Sequence, residues 1–520
     1  MSNETTEVDY LVVGSGSAGA AVAYQLAATG CSVLVAEAGT GYTRPEIDSL
    51  AGWPLLLGSE VDWAYQTTPQ SNTAGRTHLW SRGKVLGGTS SINGMVWMRG
   101  AAWDFDGWEK AGCSGWGYAD VTAAHKEFED FPGGDPVFRA QAGPMRIRTM
   151  NGLNPLTEAF LLACEQRGFR PAVDFNGADA EGFGPHQINA VDGVRWSSYR
   201  AFLEPVRDRP NVTLLTSAMV HRLELDSAGS SVTAAHIVRD GVAHRWRINR
   251  EVIVSAGAIE SPKLLMLSGI GPAADLTDLG IDVRIDLPGV GQNLHDHLAA
   301  SVSYRATKDV PPPRNTGLEG ALFCRSTPLL EQYDLQYSFI HIPTLPPDGF
   351  VEGSGFTLFG GSLPSDSRGS LSLKSADPLA HPRIDPRYLT EEADVGRLIA
   401  AVEIGREIAS APAFDDWRGE EIAPTDGLRG KDELRDYVIR TAQTFFHPVG
   451  TCKMGTGPDS VVDPLLRVHG TRNLRIADAS VIPDIPSANP NATATMIGWR
   501  AGAFIRSNSD DKTTNAEVTG

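Results

Sequence analysis

The sequence predicts an α/β chain (α+β overall) of two domains. One is Rossmann-like and nucleotide-binding; the other is built on a mainly antiparallel sheet backed by helices. Three observations carry this. At 520 residues the chain exceeds what one simple hydrophobic core covers. Its start, "DYLVVGSGSAGAAVAYQLAATG" from Asp9, reads as a buried strand, a glycine turn and an apolar helix. Between 301 and 440, alternating runs such as "YDLQYSFIHI" and "GSLSLKS" are separated by proline turns and give way to the amphipathic "DVGRLIAAVEIGREIAS".

The opening turn holds Gly14, Gly16 and Gly19 in GxGxxG spacing, followed by the second strand "CSVLVAEAG", which ends at Glu37 and Ala38. Gly14 permits the tight turn, Gly16 lets main chain approach a pyrophosphate, and Gly19 lets the helix pack on the strand. With Ser17 and Ala18, these residues form a helix N-terminus suited to phosphate. Glu37, eighteen residues after Gly19, suits ribose hydroxyls. The motif alone does not separate NAD from FAD.

Composition removes several function classes. A formal net charge of −18 opposes phosphate backbones and anionic membranes, so neither nucleic acid nor a membrane is an expected partner. The five cysteines are widely spaced, without a CxxC, which argues against a disulfide framework or a structural zinc site; no metal is expected. "MSNETTEVDY" lacks the basic and apolar tract of a secretory signal, and reduced thiols suit a cytoplasmic protein. The polar end, 511–520, is expected to be a disordered tail. Nothing in the sequence sets an oligomeric state.

Four more segments complete the pattern. "WSRGKVLGGTSSINGMVWMRG" (80–100) packs glycines and small hydroxyl residues between basic positions, and "SAGAIESPKLLMLSGIGP" (255–272) predicts a helix with Ser261 as N-cap, Pro262 in the first turn and Gly269 as stop. "LPGVGQNLHDH" (287–297) reads as a loop whose three metal-capable side chains lack other ligand spacing. "NLRIADASVIPDIPSANPNATATMIGWRAGAF" (473–504) reads as strand, proline-rich loop and helix. From Asp9 to about Ile505, these segments and "HPVGTCKMG" together resemble the glucose–methanol–choline oxidoreductase family.

The resemblance implies FAD and the oxidation of a primary or secondary alcohol to an aldehyde or ketone by hydride transfer to flavin N5. It places the ADP moiety at Gly14, Gly16, Gly19 and Glu37, with Val220 and Ala256 nearby, and the pyrophosphate and flavin beside Arg82, Gly87, Gly88, Thr89, Asn93, Gly94, Met95 and Val96. Asp478, Ala479, Asn491, Thr495 and Met496 complete the expected cofactor set. Ile92 stands where some members attach FAD through histidine, so non-covalent FAD is expected. Domain boundaries follow: 1–155, 201–300 and 441–510 for FAD, 156–200 and 301–440 for substrate.

Alcohol oxidation requires removal of the hydroxyl proton, for which neutral histidine is suited. From its own surroundings, "TFFHPVGTCKMG", His447 reads first as a core histidine beside Phe445 and Phe446, with a base, a metal ligand or a Cys452-paired group as the other readings. The resemblance makes it the base and gives Asn491 the task of orienting the alcohol oxygen, although Asn491 also reads as a helix N-cap. Phe445, Phe446, Val449, His341, Trp63 and Trp97 are candidate pocket residues. The expected electron acceptor is O₂, giving H₂O₂; a dehydrogenase using another acceptor, or a flavin-binding protein without turnover, are the alternatives. Sugar, choline-like and aryl or furanic alcohols all stay open.

Overall fold

The computed structural model describes residues 6–347, 349–425 and 427–517, with side chains through Ser507. The apolar start forms strand β1 (Thr6–Val13), helix α1 (Ser17–Ala27) and strand β2 (Val33–Ala36). β1 and β2 pair in parallel, and both are buried in their apolar halves, as their continuous Val/Leu runs require. The sheet order is Val212–Leu215, β2, β1, Val242–Val254, Val232–Arg239, Ala218–Leu225. Strand Val242–Val254 is long enough to serve two partnerships: its first half pairs antiparallel with Val232–Arg239, and its last residues lie parallel between β1 and Leu474–Ile476.

The second sheet is antiparallel, in the order Arg418–Ala423, Leu298–Ala306, Gly355–Ser362, Leu335–Ile340, Leu318–Cys324, Gly182–Pro185, with Gln443–Thr444 added beside Leu298. Helices Pro155–Gln166 and Glu392–Ala409 cover one face. This is the expected mixed architecture. The expected boundaries at 300 and 440 cut or exclude two of these strands, because strand pairing continues across the loops that the sequence pattern marks as borders.

Two further expectations change. The helix around "SPKLL" runs Gly257–Leu267, so Ser261 and Pro262 lie inside it. Proline there removes the hydrogen bond to the Ala258 carbonyl, and Thr451 Oγ1 donates to that carbonyl at 2.6 Å instead. The C-terminal helix runs Asn491–Glu517, entering the segment expected to be a tail; elongating an existing helix avoids the nucleation step. Residues 518–520 lie outside the described residues. This helix lies glycine-close on α1, where a Cβ at Gly498 would sit 2.2 Å from the Ala18 carbonyl oxygen. No helix among the described residues is long and apolar enough to cross a membrane.

Candidate active site

A cavity opens where the ends of β1, β2 and Val242–Val254 meet one face of the second sheet, the crevice that open α/β sheets offer to ligands. Its floor is α1's first turn. Gly14 adopts φ +91°, and a Cβ there would meet Ser255 O at 2.6 Å; at Gly19 it would meet Gly14 O at 2.1 Å. Gly88, at φ +53°, abuts Gly16 so closely that its Cβ would lie 2.7 Å from Gly16 Cα. The turn carries no acidic residue and no side-chain cap, so its first N–H groups face the cavity beside Gly16, Ser17 and Ala18. That arrangement fits a pyrophosphate.

Glu37, Ala38, Val220 and Ala256 line the same end. The Glu37 carboxylate accepts from Ser15 N (2.9 Å), Ser15 Oγ (2.7 Å) and Gly39 N (2.8 Å), and burial raises its pKa against those bonds. Asp478 also lines the cavity, but its oxygens accept from Gly257 N, Ser261 Oγ and Ser480 N, tying the Gly257–Leu267 helix to the loop before Ala479. Ser255 Oγ and Asn491 Nδ2 are buried without a hydrogen-bond partner, so two polar atoms at this wall lack a ligand within the protein.

Arg82, Thr89, Asn93, Gly94, Met95 and Val96 line the opposite wall. Its shape depends on Arg195, a buried side chain that sequence reasoning missed because nothing local distinguishes it. Arg195 donates to the carbonyls of Ile47, Ser90 and Asn93 and to Asn93 Oδ1, which also accepts from Met95 N across a left-handed Met95. Four expected cofactor residues stand behind the wall. Gly19 and Gly87 serve close packing, Thr495 Oγ1 donates to the Asn491 carbonyl one turn back, and Met496 is fully buried in the core.

At the far end sits His447, buried, with its ring stacked on Phe445 at 5.4 Å and 17°. Its main-chain N donates to Asp296 Oδ1 (2.7 Å), while Thr444 Oγ1 (2.6 Å) and Tyr388 OH (2.5 Å) donate to Oδ2. Its Nδ1 lies 2.9 Å from His297 Nδ1 and its Nε2 lies 3.2 Å from Asn489 Nδ2. Burial holds the His447 imidazole well below its ordinary pKa, and His297 and Arg82 push the same way, so the ring is neutral. The preceding residue, Phe446, has φ +62°, and its carbonyl accepts from Arg82, whose guanidinium burial lowers to about 10.

Asn489, not Asn491, therefore faces His447. Proline separates the two asparagines; Asn491 opens the C-terminal helix and its Oδ1 accepts from Ser17 Oγ (2.6 Å), at the floor of the cavity. Asn489 Oδ1 accepts from Gln336 Nε2 (3.0 Å), which turns its amide nitrogen to the imidazole. Phe445, Phe446 and Trp63 line the cavity. Val449 does not: it pairs with His295 through main chain and is fully buried. His341 lies behind the second sheet, 2.5 Å from Thr157 Oγ1, on the side opposite Ser338 and Ile340, because alternate strand residues face opposite ways. Trp97 is core, donating to Glu129. His295 bonds to the Asn293 carbonyl and Ile485 N, so the "HDH" side chains diverge into separate hydrogen bonds.

Comparison with known proteins follows the same division of the chain. Profiles for the GMC oxidoreductase N-terminal and C-terminal regions match residues 8–299 and 365–498. An oxygen-dependent choline dehydrogenase of Brucella canis is 39% identical over 528 residues, covering 96% of this chain and 95% of that protein. One from Sinorhizobium medicae is 39% identical, with the same coverage of both chains. Among solved structures, pyridoxine 4-oxidase from Mesorbium loti superposes with a TM-score of 0.92 at 33% identity, covering 96% of this chain and 99% of that one. A formate oxidase of Aspergillus oryzae gives 0.89 at 27%, covering 98% and 100%.

Proposed function

The chain belongs to the GMC oxidoreductases, FAD-dependent enzymes acting on alcohols, and on that premise we propose that it oxidises a neutral, apolar primary alcohol to its aldehyde, with His447 as base. The observation that carries this is a neutral imidazole whose Nε2 shares an apolar chamber with the Asn489 amide. Gly14, Gly16 and Ser17 would hold the pyrophosphate, Glu37, Val220 and Ala256 the adenosine end, and Gly88, Asn93 to Val96, Ala479 and Asn491 the flavin side. Ile92 offers no nucleophile to the cavity, which supports non-covalent attachment. When bound, FAD supplies the hydride acceptor.

The chain's own groups handle the proton. Asn489 Nδ2 orients the alcohol oxygen, and His447 Nε2 takes the hydroxyl proton as the C–H bond breaks. We take the substrate domain to be 156–200 and 298–444, widened from 301–440 so that strands Leu298–Ala306 and Gln443–Thr444 stay with the sheet they pair in. O₂ is the proposed acceptor, supported by the oxidase and oxygen-dependent names of the relatives. Five free cysteines support a reducing, cytoplasmic compartment.

The substrate class follows from the wall around His447. Phe445 packs on Phe359, and Leu318, Ile340 and Ser338 continue that face. The three carboxylates lining the cavity are already engaged: Glu37 and Asp478 as above, and Glu260 with Tyr65 OH (2.7 Å) and Lys263 (3.1 Å). A quaternary ammonium would recover about 0.5–2 kcal/mol from the aromatic faces, against a desolvation cost of several kcal/mol. The reading thus departs from choline, the substrate named for the curated relatives. Anaerobic mixing with an alcohol panel tests it: aryl and other apolar primary alcohols should bleach the flavin with kcat/KM at least about ten-fold above choline, and peroxide should appear in air. Faster bleaching by choline than by every neutral alcohol would sink this substrate class.

The aromatic wall has its own test. A Cβ at Gly361 would lie 2.0 Å from the Phe445 ring, so Gly361→Ala must displace it. Overpacking of about 1–3 kcal/mol should lower kcat/KM for the best alcohol by about ten-fold with FAD still bound. An unchanged value would take Phe445 out of the substrate wall.

A further inference from the structure

Behind His447 stands a second buried imidazole to which the proposed reaction gives no task. Gln336 Nε2 can only donate, so Asn489 Oδ1 is the acceptor and Asn489 Nδ2 is left to face His447 Nε2 at 3.2 Å. That nitrogen must then be bare. A neutral ring carries its proton on the other side, at Nδ1, 2.9 Å from His297 Nδ1. We infer that His297 is the positioning residue for His447: its Nδ1 accepts the Nδ1 proton and holds the base in the tautomer whose Nε2 lone pair faces the cavity. This rests on His447 being the base.

The frame around the pair is rigid. Phe445 N donates to His297 O (3.0 Å), and His295 and Val449 exchange both main-chain bonds (3.0 and 3.2 Å), so the loop and the histidine segment form one short ladder. Asp296, between the two histidines of the loop, takes the main-chain N–H of His447. The rings stand nearly perpendicular, at 81°. For His297 to accept, it must be neutral with its proton on Nε2. Burial lowers its pKa to about 3, and the Leu363 main chain acts as an acceptor toward the ring, although Nε2 makes no hydrogen bond of full geometry.

The charged groups facing the pair are Arg82, which disfavours a second cation, and Asp296, whose carboxylate points at main chain and hydroxyls rather than at either ring. When the alcohol proton moves to His447 Nε2, the Nδ1–H bond to His297 persists and no bond at His297 is made or broken. A neutral acceptor thus gives the base direction without the added basicity a carboxylate would bring.

The test compares His297→Leu, His297→Asn and His297→Asp holoenzymes, with His447→Asn in parallel. Imidazole ¹⁵N NMR should show one His447 tautomer, protonated at Nδ1, in the unaltered protein and a mixture in His297→Leu. Anaerobic flavin reduction should slow about 10- to 100-fold in His297→Leu with FAD bound. His297→Asn, whose Oδ1 falls near the lost Nδ1, should recover about ten-fold of that loss. His297→Asp should move the acid limb of the pH profile up by about one unit or more. A single Nδ1–H tautomer with an unchanged reduction rate in His297→Leu overturns the inference. Should that variant fail to fold, an acid limb in His297→Asp superimposable on that of the unaltered enzyme overturns it equally. If His447→Asn reduces flavin at the normal rate, the base reading itself falls; if it slows while His297→Leu does not, only the positioning role falls.

Discussion

Replacing His447 by alanine is expected to slow reduction of the bound flavin by the alcohol about 10²- to 10⁴-fold, the range a positioned general base supplies. FAD should remain bound, because the glycine cradle and the α1 terminus lie at the other end of the cavity. The loss is not a packing effect in disguise: the main-chain bonds of His447 to Asp296 and of Phe445 to His297 need no imidazole. The pH dependence has a definite sign. The imidazole pKa is depressed below 6.5 by burial, with His297 and Arg82 adding to it, so the neutral base is present throughout the neutral range. The rate of reduction by substrate should therefore stay level as pH falls to 6.5 and decline only below it, whereas an unperturbed histidine would already be half protonated there. Stopped-flow bleaching from pH 8 to 5 reads both effects. An unchanged rate in the alanine variant removes His447 from the chemistry.

Gly88→Ala is expected to yield largely FAD-free protein. The residue sits in the left-handed region at φ +53°, and the added methyl would meet Gly16 Cα at 2.7 Å, main chain against main chain with no flexible side chain to yield. Left-handed strain and overpacking together amount to about 2–4 kcal/mol. The loop can escape only by withdrawing from α1, which spoils the surface that the pyrophosphate needs. FAD affinity should fall by about 30- to 1,000-fold, measured as flavin-to-protein ratio after dialysis and by titration of the apo-protein. Full flavin loading in this variant would remove the Gly16–Gly88 contact from the cofactor site.

The glycine turn was legible in the sequence because glycine chemistry is local: Gly14, Gly16 and Gly19 can be read from spacing and sterics alone, and in the structure Gly14 and Gly16 line the cavity while Gly19 packs against the Gly14 main chain behind it. Side-chain direction was less accessible. "NPN" presents two asparagines two residues apart, and only the turn into the C-terminal helix determines that Asn489 faces His447 while Asn491 reaches Ser17. His341 failed as a pocket residue for a similar reason, since strand alternation places Ser338 and Ile340 on the cavity side and turns it away. Arg195 and Gln336 were invisible, because a buried polar side chain is defined by carbonyls and amides that come from distant segments. Pro262 misled the helix start, since its missing N–H is tolerated only through Thr451, nearly two hundred residues away.

Ser17 and Asn491 meet across 474 residues of chain, and the helix that Asn491 begins presses Gly498 onto the main chain of α1. The strand Leu474–Ile476 completes the first sheet beside Val252–Val254 in the same late segment. During synthesis, the dinucleotide turn therefore precedes its partner Asn491 by 474 residues, and this contact forms only after both have been made. The ordering cost of closing so long a loop grows only slowly with its length, but contacts this distant in sequence form late in folding. In the proposed placement, FAD would lie against both ends and act as a clasp: free energy gained on binding would also oppose the parting of the α1 and Asn491–Glu517 helices.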